Sequence, residues 1–218
     1  MTGPSSLDLA ALLCSRLCHD MLSPIGALNN GLELLASEDD PQMRERCVEL
    51  LEQSAKVSAD KLKFFRLAFG AAGGFGEDVA VEEPREVLAA LVSGNERVKL
   101  EWATAETTLP KPAVKVLLNL GAIGLDALVR GGTLAVGTET SGDNVEIAVR
   151  ASGPKVAFDK SVGDALDGTI AASALSGRTA PAFMIRQLVE EQGGGLQYAV
   201  TTETLVMGAV IPTPARVG

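Results

Sequence analysis

The sequence contains a single histidine, one tryptophan and one tyrosine, and aromatic residues make up 4% of its 218 positions. Leucine, valine and alanine must therefore fill the core that a hydrophobic content of 46% allows. Every apolar run is shorter than the roughly 18 residues that a membrane span requires, and the N-terminus lacks the basic start of a secretory signal. The net charge of −9 disfavours nucleic-acid binding, which depends on lysine and arginine. These absences predict a cytoplasmic protein.

Cysteine is also scarce, with Cys14, Cys18 and Cys47 as its only occurrences. An odd number clustered near one end favours reduced thiols over a disulfide framework. Cys14 and Cys18 precede the only histidine closely enough to suggest a metal site with it. Both cysteines fall on a heptad pattern, however, so packing explains them better and no bound metal is expected.

Apolar residues in the first 35 positions recur at alternating steps of four and three, which predicts a long helix beginning near Ser5 or Ser6. The members of this heptad seam are Leu7, Ala11, Cys14, Cys18, Met21, Ile25, Leu28, Leu32 and Leu35. A second helix over about 42–69 carries two apolar stripes, one of which includes Leu51 and Leu62. A lone hairpin can bury only one stripe, so the other predicts a homodimeric four-helix bundle.

A glycine-rich segment divides the chain, which predicts a helical-hairpin domain over 1–70, a linker over 71–78 and a second domain over 79–218. Alternating and helical patterns in the second domain predict both strands and helices. The helices are expected at 84–92, 112–129 and 180–192, and the strands at 98–102, 133–138, 145–149, 196–200 and 205–211. Helices on one side of a mostly antiparallel sheet give an α+β sandwich.

The single histidine, His19, lies at the flank of the heptad seam, where its ring can point into water. A surface histidine or a hydrogen-bonded structural histidine would be the ordinary interpretation. Asp20 follows it, and Pro24 bends the helix and leaves a carbonyl near residue 20 without its helical partner. Because these features cost stability, they favour a functional site. A neutral imidazole can accept a phosphoryl group, while an adjacent carboxylate holds the proton of its other nitrogen.

The segment 19–25, HDMLSPI, resembles the H box of sensor histidine kinases, His-Asp/Glu-x-x-Ser/Thr-Pro-Leu/Ile. The resemblance implies that His19 is the phosphoacceptor and Asp20 its catalytic neighbour. The segment from Asn119 to Thr133, with its Gly-Gly-Thr end, resembles the N box and following strand of the ATP-binding domain of those kinases.

Three positions in the second domain depart from that kinase pattern. Ile123 stands where a magnesium-binding asparagine is expected, and Ala151 replaces the aspartate that binds adenine. Pro181 takes a glycine position of the phosphate loop, where its missing N–H cannot contact a phosphate. We therefore expect an ATP-binding fold that no longer binds nucleotide, with Asn119 and Gly153 serving the fold.

An intact H box beside a degenerate ATP site resembles the ChpT-type histidine phosphotransferases. The resemblance implies a homodimer that takes phosphate from a receiver domain of a hybrid kinase (CckA-like) and passes it to response regulators (CtrA-like and CpdR-like). It also implies that the chain binds no cofactor and that the partner receiver supplies Mg²⁺. Two alternatives remain open: an active autokinase with divergent ATP motifs, and a non-catalytic scaffold that binds receivers.

Basic residues on the second helix are candidates for docking an acidic receiver, together with one residue of the H box. The candidates are Ser23, Lys56, Lys61, Lys63 and Arg66. Charges on a solvated helix face are the equally ordinary interpretation of the four basic residues.

Overall fold

Two long helices open the chain in the computed structural model, which describes residues 4–70 and 78–213. Helix α1 spans Ser6–Ser37 and helix α2 spans Pro41–Phe69. The Ser5 side chain accepts from the backbone of Asp8, whose carboxylate returns the bond, so a capping box fixes the start of α1. The predicted hairpin is present, whereas positions 71–77 of the predicted linker lie outside the described residues.

The rest of the described chain forms an α+β sandwich, as the sequence predicts. The helices that follow are α3 Glu82–Ser93, α4 Lys111–Ala127, α5 Lys160–Leu166 and α6 Ala180–Glu191, with a short 3-10 turn at Ala172–Ala174. The strands are β1 Asp78–Ala80, β2 Val98–Thr104, β3 Thr108–Pro110, β4 Gly132–Ser141, β5 Asn144–Ser152, β6 Gly195–Val200 and β7 Thr204–Pro212. The short elements β1, β3 and α5 are the ones that sequence patterns missed.

Five strands form the main sheet in the order β2-β4-β5-β7-β6, and β1 pairs with β3 separately. Only β2 and β4 are parallel in the main sheet, while its other neighbours are antiparallel. Side chains of β5 and β7 alternate between buried and exposed, which is the pattern of a sheet covered on one face. Helix α4 lies on the covered face, and Gly124 lets it approach Leu134 and Val149 closely.

The end of α2 packs into the core of this sandwich. Phe64, Phe65, Leu67 and Ala68 are all buried there. The side chain of Asn119 on α4 donates from Nδ2 to the Ala68 carbonyl oxygen at 3.4 Å. The hairpin is therefore fixed to the sandwich at this end by apolar packing and a buried amide.

Only part of the predicted heptad seam of α1 is sheltered from solvent in the single chain. Pro24 and Gly31 are the buried residues of α1, whereas Ile25 and Leu32 remain 44% and 56% exposed. A Cβ built on Gly31 would lie 2.9 Å from Leu51 Cδ2, so α2 approaches because glycine has no side chain there. Gly31 allows the close approach of the two helices, and the seam residues Met21, Leu28 and Leu35 are half-buried, while the rest of the seam is exposed.

Leu51 was expected on the stripe between subunits, and this expectation is wrong, because Leu51 contacts α1 of its own chain. Leu62, from the same predicted stripe, is 49% exposed. Within residues 4–70 and 78–213, no helix is both long and apolar enough to cross a bilayer.

We expect the start of β4 to tolerate no side chain. Gly132 has φ +139°, and a Cβ there would overlap the Ser152 carbonyl oxygen of the neighbouring strand. Gly132→Ala should therefore lower the free energy of unfolding by about 3 kcal/mol or more, since strain and overlap add. Urea unfolding measures this loss.

Gly142→Ala is the matched control, because Gly142 also has positive φ, at +58°, but nothing lies within 4 Å of a Cβ built there. Its cost should stay near 1 kcal/mol, which is the strain alone. Equal losses at the two positions would contradict the overlap argument.

Candidate functional site

His19 lies in the middle of α1 with its side chain 83% exposed. Its Nδ1 is 3.2 Å from Oδ1 of Asp20, the next residue along the chain. An ionised carboxylate can only accept hydrogen bonds, so this contact favours a proton on Nδ1, and in the neutral ring the Nε2 lone pair is then free. The arrangement presents a nucleophilic nitrogen to solvent.

Asp20 is held from its other oxygen by Arg16, one helical turn earlier. Arg16 Nε donates to Asp20 Oδ2 at 2.7 Å. Partial burial acts to raise the pKa of Asp20, but hydrogen bonds from Arg16 and His19 and the charges of Arg16 and Lys61 outweigh it. The pKa of Asp20 therefore lies below its ordinary value, and the carboxylate stays ionised at neutral pH.

The carbonyl of Asp20 is the one that Pro24 deprives of a helical partner, since proline four residues later has no N–H. Lys61 Nζ donates to this carbonyl oxygen at 2.8 Å from α2. The sequence predicted a free carbonyl near residue 20, but not the donor that satisfies it. Lys61 is 41 positions away, and only the hairpin geometry brings the two together.

The predicted docking residues do not form one face. Lys56 and Lys63 project within about 20° of each other around α2, whereas Lys61 projects about 140° away from Lys56, toward α1. Lys56 pairs with Asp60 at 2.8 Å. Ser23, Lys63 and Arg66 are exposed, and their role in docking stays a prediction.

Residues of the degenerate nucleotide motifs line a cavity of about 60 Å³ between the hairpin and the sandwich. Asn119, Ile123 and Pro181 belong to its lining, and the phenyl rings of α2 close it. Ligand pockets usually measure roughly 300–1,000 Å³, so this space does not match a nucleotide. Ala151 lies fully buried on β5, and a Cβ on Gly153 would overlap the Gly131 carbonyl, so Gly153 serves the fold.

Metal ligands do not gather elsewhere in the described parts of the chain, where no group of three or more His, Cys, Asp and Glu side chains is placed to hold an ion. Cys14 and Cys18 are exposed free thiols on α1, and Cys47 is a buried one. That the chain functions without a bound cofactor or metal stays a prediction.

Comparison with known proteins identifies the family. Residues 81–204 match the family model of the histidine phosphotransferase C-terminal domain. The protein phosphotransferase ChpT of Brucella abortus (strain 2308) is 36% identical over 205 residues, which cover 94% of this chain and 96% of that protein. The chain belongs to the histidine phosphotransferase family. The family expected from the sequence is thereby confirmed.

Solved structures agree with this family. A bacterial phosphotransferase structure matches with a TM-score of 0.83 and 35% identity, over 95% of this chain and 98% of that one. The fold class expected from the sequence, a helical hairpin followed by an α+β sandwich, is confirmed. The catalytic domain of the histidine kinase ThkA is a weaker match, with 16% identity and a TM-score of 0.48 over 63% of this chain and 97% of that one.

We expect Lys61 to stabilise the hairpin through the Asp20 carbonyl. Lys61→Met keeps most of the apolar stem but removes the donor, which leaves a half-buried carbonyl oxygen unsatisfied. The free energy of unfolding should fall by about 1–2 kcal/mol, measured by urea unfolding.

Lys63→Met provides the control, because Lys63 is exposed on the same helix two positions later. Its effect should remain within about 0.5 kcal/mol. If the two substitutions cost the same, the carbonyl contact contributes nothing specific.

Proposed function

We propose that this chain is the histidine phosphotransferase of a phosphorelay, with His19 as the residue that carries the phosphoryl group. One observation supports this most directly: an exposed imidazole whose Nδ1 faces a carboxylate and whose Nε2 is open to a partner. Family membership supplies the activity class, because the Brucella relative is a protein phosphotransferase.

In the proposed reaction, the Nε2 lone pair of His19 attacks the phosphorus of an aspartyl phosphate on a receiver domain. The bond between phosphorus and the carboxyl oxygen breaks, and its electron pair leaves with the aspartate. The Nδ1 proton remains on the ring, shared with Asp20, so no base has to remove it. Transfer to a second receiver is the same step in reverse.

Asp20 acts on charge that develops during this attack. The ring becomes more positive as Nε2 forms its bond to phosphorus, and an ionised carboxylate 3.2 Å from Nδ1 stabilises that change. Interactions that strengthen only in the transition state change the rate more than the affinity. Asp20 is therefore proposed as a catalytic residue rather than a docking residue.

Phosphate is proposed to come from a receiver and not from ATP. Three residues support this: Ile123 offers no oxygen to magnesium, Ala151 no carboxylate to adenine, and Pro181 no N–H to a phosphate. The small cavity beside Ile123 and Pro181 supports it as well. Mg²⁺ would then be bound by the receiver, beside its own aspartate.

The partners that fit this chemistry are a receiver domain of a hybrid kinase as donor and response regulators as acceptors, CckA-like and CtrA-like or CpdR-like respectively. Both kinds of partner must bring an aspartate to the exposed Nε2. Exposed Ser23, Lys63 and Arg66 are proposed to contribute to docking, since a receiver presents acidic residues around its phosphorylation site.

We also propose a homodimer through the hairpin. Ten large apolar residues of α1 and α2 are exposed in the single chain, more than a monomer leaves uncovered without a function. They are Leu7, Leu22, Ile25, Leu32 and Leu34 on α1, and Met43, Val48, Leu50, Val57 and Leu62 on α2. A second hairpin would cover those that share a face of the hairpin, such as Ile25 and Leu32 on α1, in a four-helix bundle.

His19→Ala tests the relay directly. Mixed with a receiver that carries labelled aspartyl phosphate, the wild-type chain should acquire label that is labile in acid and stable in base, and the variant should acquire none. Because the side chain is exposed, its removal should change stability by less than about 0.5 kcal/mol. Circular dichroism and urea unfolding verify that the variant is folded.

Incubation with labelled ATP and magnesium, without a kinase, is the second arm of this experiment. No label should appear on the wild-type chain. Label on His19 in this arm would favour the autokinase, and absence of label in both arms would favour the scaffold.

Leu62→Glu tests the dimer. A charge placed in the apolar bundle loses its hydration without a partner, so the dimer dissociation constant should rise by more than about tenfold. Val129→Glu, at a similarly exposed position of the sandwich, should leave it unchanged. Sedimentation velocity measures both, and a wild-type chain that is monomeric at micromolar concentration would refute the bundle.

A further inference from the structure

Arg16 lies between the acceptor site and the sandwich. Its Nε donates to Asp20 Oδ2 at 2.7 Å, and its Nη2 lies 3.7 Å from Oδ2 of Asp126 on α4. The side chain is only 27% exposed, and it lines the cavity between the hairpin and the sandwich. One guanidinium thus contacts a carboxylate of each part of the molecule.

The sandwich also packs against the backbone at this point. Gly177 precedes α6, and a Cβ built on it would lie 3.5 Å from the Arg16 backbone nitrogen and 3.4 Å from the Leu12 carbonyl oxygen. Gly177 therefore lies close to this turn of α1, and α1 is also in contact with α6. The position of Arg16 depends on both parts of the chain.

The two oxygens of Asp20 have different partners, and this decides the orientation of the carboxylate. Oδ2 is held by Arg16 at 2.7 Å, which turns Oδ1 toward Nδ1 of His19. A free imidazole side chain prefers its proton on Nε2, the nitrogen that must attack. A fixed Oδ1 instead favours the proton on Nδ1 and keeps Nε2 nucleophilic.

We propose that Arg16 is a positioning residue, which orients Asp20 so that His19 holds its proton on Nδ1. Asp126 on α4 in turn contacts Arg16 and so connects these residues to the sandwich. This rests on the proposed function of His19 as phosphoacceptor. It gives the nucleotide-free sandwich a role in the reaction, because its α4 helps to hold the acceptor site in its reactive form.

The ordinary alternative is a surface ion pair that adds only a little to helix stability. The chain offers a matched pair to test against it. Arg186 and Glu190 on α6 have the same i,i+4 spacing, an N–O distance of 2.6 Å and an arginine exposure of 26%, but contact no histidine. A purely structural role would make the two arginines equivalent.

Nitrogen-15 NMR of the single histidine provides the decisive measurement, because every labelled histidine signal comes from His19. The full-length chain is used without a histidine tag, and the nitrogen shifts report which nitrogen carries the proton. Phosphotransfer from a labelled receiver is measured in parallel for each variant.

We expect the wild-type chain to hold the His19 proton mainly on Nδ1. Arg16→Gln should shift the tautomer ratio toward Nε2–H by at least about twofold and slow transfer on the order of tenfold, as loss of an orienting partner does. Arg16→Lys keeps the charge and should recover part of both effects. Asp126→Asn should change the tautomer ratio and the transfer rate in the same direction as Arg16→Gln but by less, because the contact between Asp126 and Arg16 is longer.

Arg186→Gln should leave the tautomer ratio and the transfer rate unchanged. If Arg16→Gln also leaves the tautomer ratio and the transfer rate unchanged, the positioning role of Arg16 is refuted. If only Asp126→Asn has no effect, the link to the sandwich is refuted. If no variant or wild-type chain accepts phosphate while the tautomer shift is present, the proposed function fails and the positioning of the ring stands.

Discussion

A single missing N–H organises the acceptor region. Pro24 cannot bond back to Asp20, so a carbonyl in the middle of α1 needs a donor from elsewhere. Lys61 supplies it from α2, and the same proline is one of the buried residues of α1. The residue that weakens α1 thereby fixes the register of the hairpin. His19, Asp20 and Arg16 all lie within the two turns that this contact holds in place.

The sandwich side chains that face the hairpin serve packing. Asn119 holds the end of α2 through the Ala68 carbonyl, and the phenyl rings of that helix fill the space beside Ile123. Charged side chains also line this space, where Arg16 bonds to Asp20 and lies 3.7 Å from Asp126. This surface therefore attaches the hairpin to the sandwich.

Local signals made much of the molecule predictable from sequence. Ser5 and Asp40 cap the two long helices as their types suggest, and strand alternation located most of the sheet.

His19 and Asp20 were found because they are adjacent. The packing face of α1 was not predicted, because its buried residues are Pro24 and Gly31. A search for periodic large apolar residues does not detect these two positions. Arg16 stands four residues before Asp20, a spacing that could have revealed the pair.

The 83% exposure of His19 has a consequence for where selectivity arises. Phosphoryl transfer proceeds best where water is excluded, yet the described residues of this chain leave most of the His19 ring in contact with solvent. If His19 is the acceptor, the dry environment exists only while a partner covers it. A poorly fitting protein would leave water at the nitrogen and lose the phosphoryl group to hydrolysis. Selectivity between partners would then depend on how completely each partner covers the His19 ring. The isolated chain would provide only part of the reaction site, and a correct partner would provide the rest.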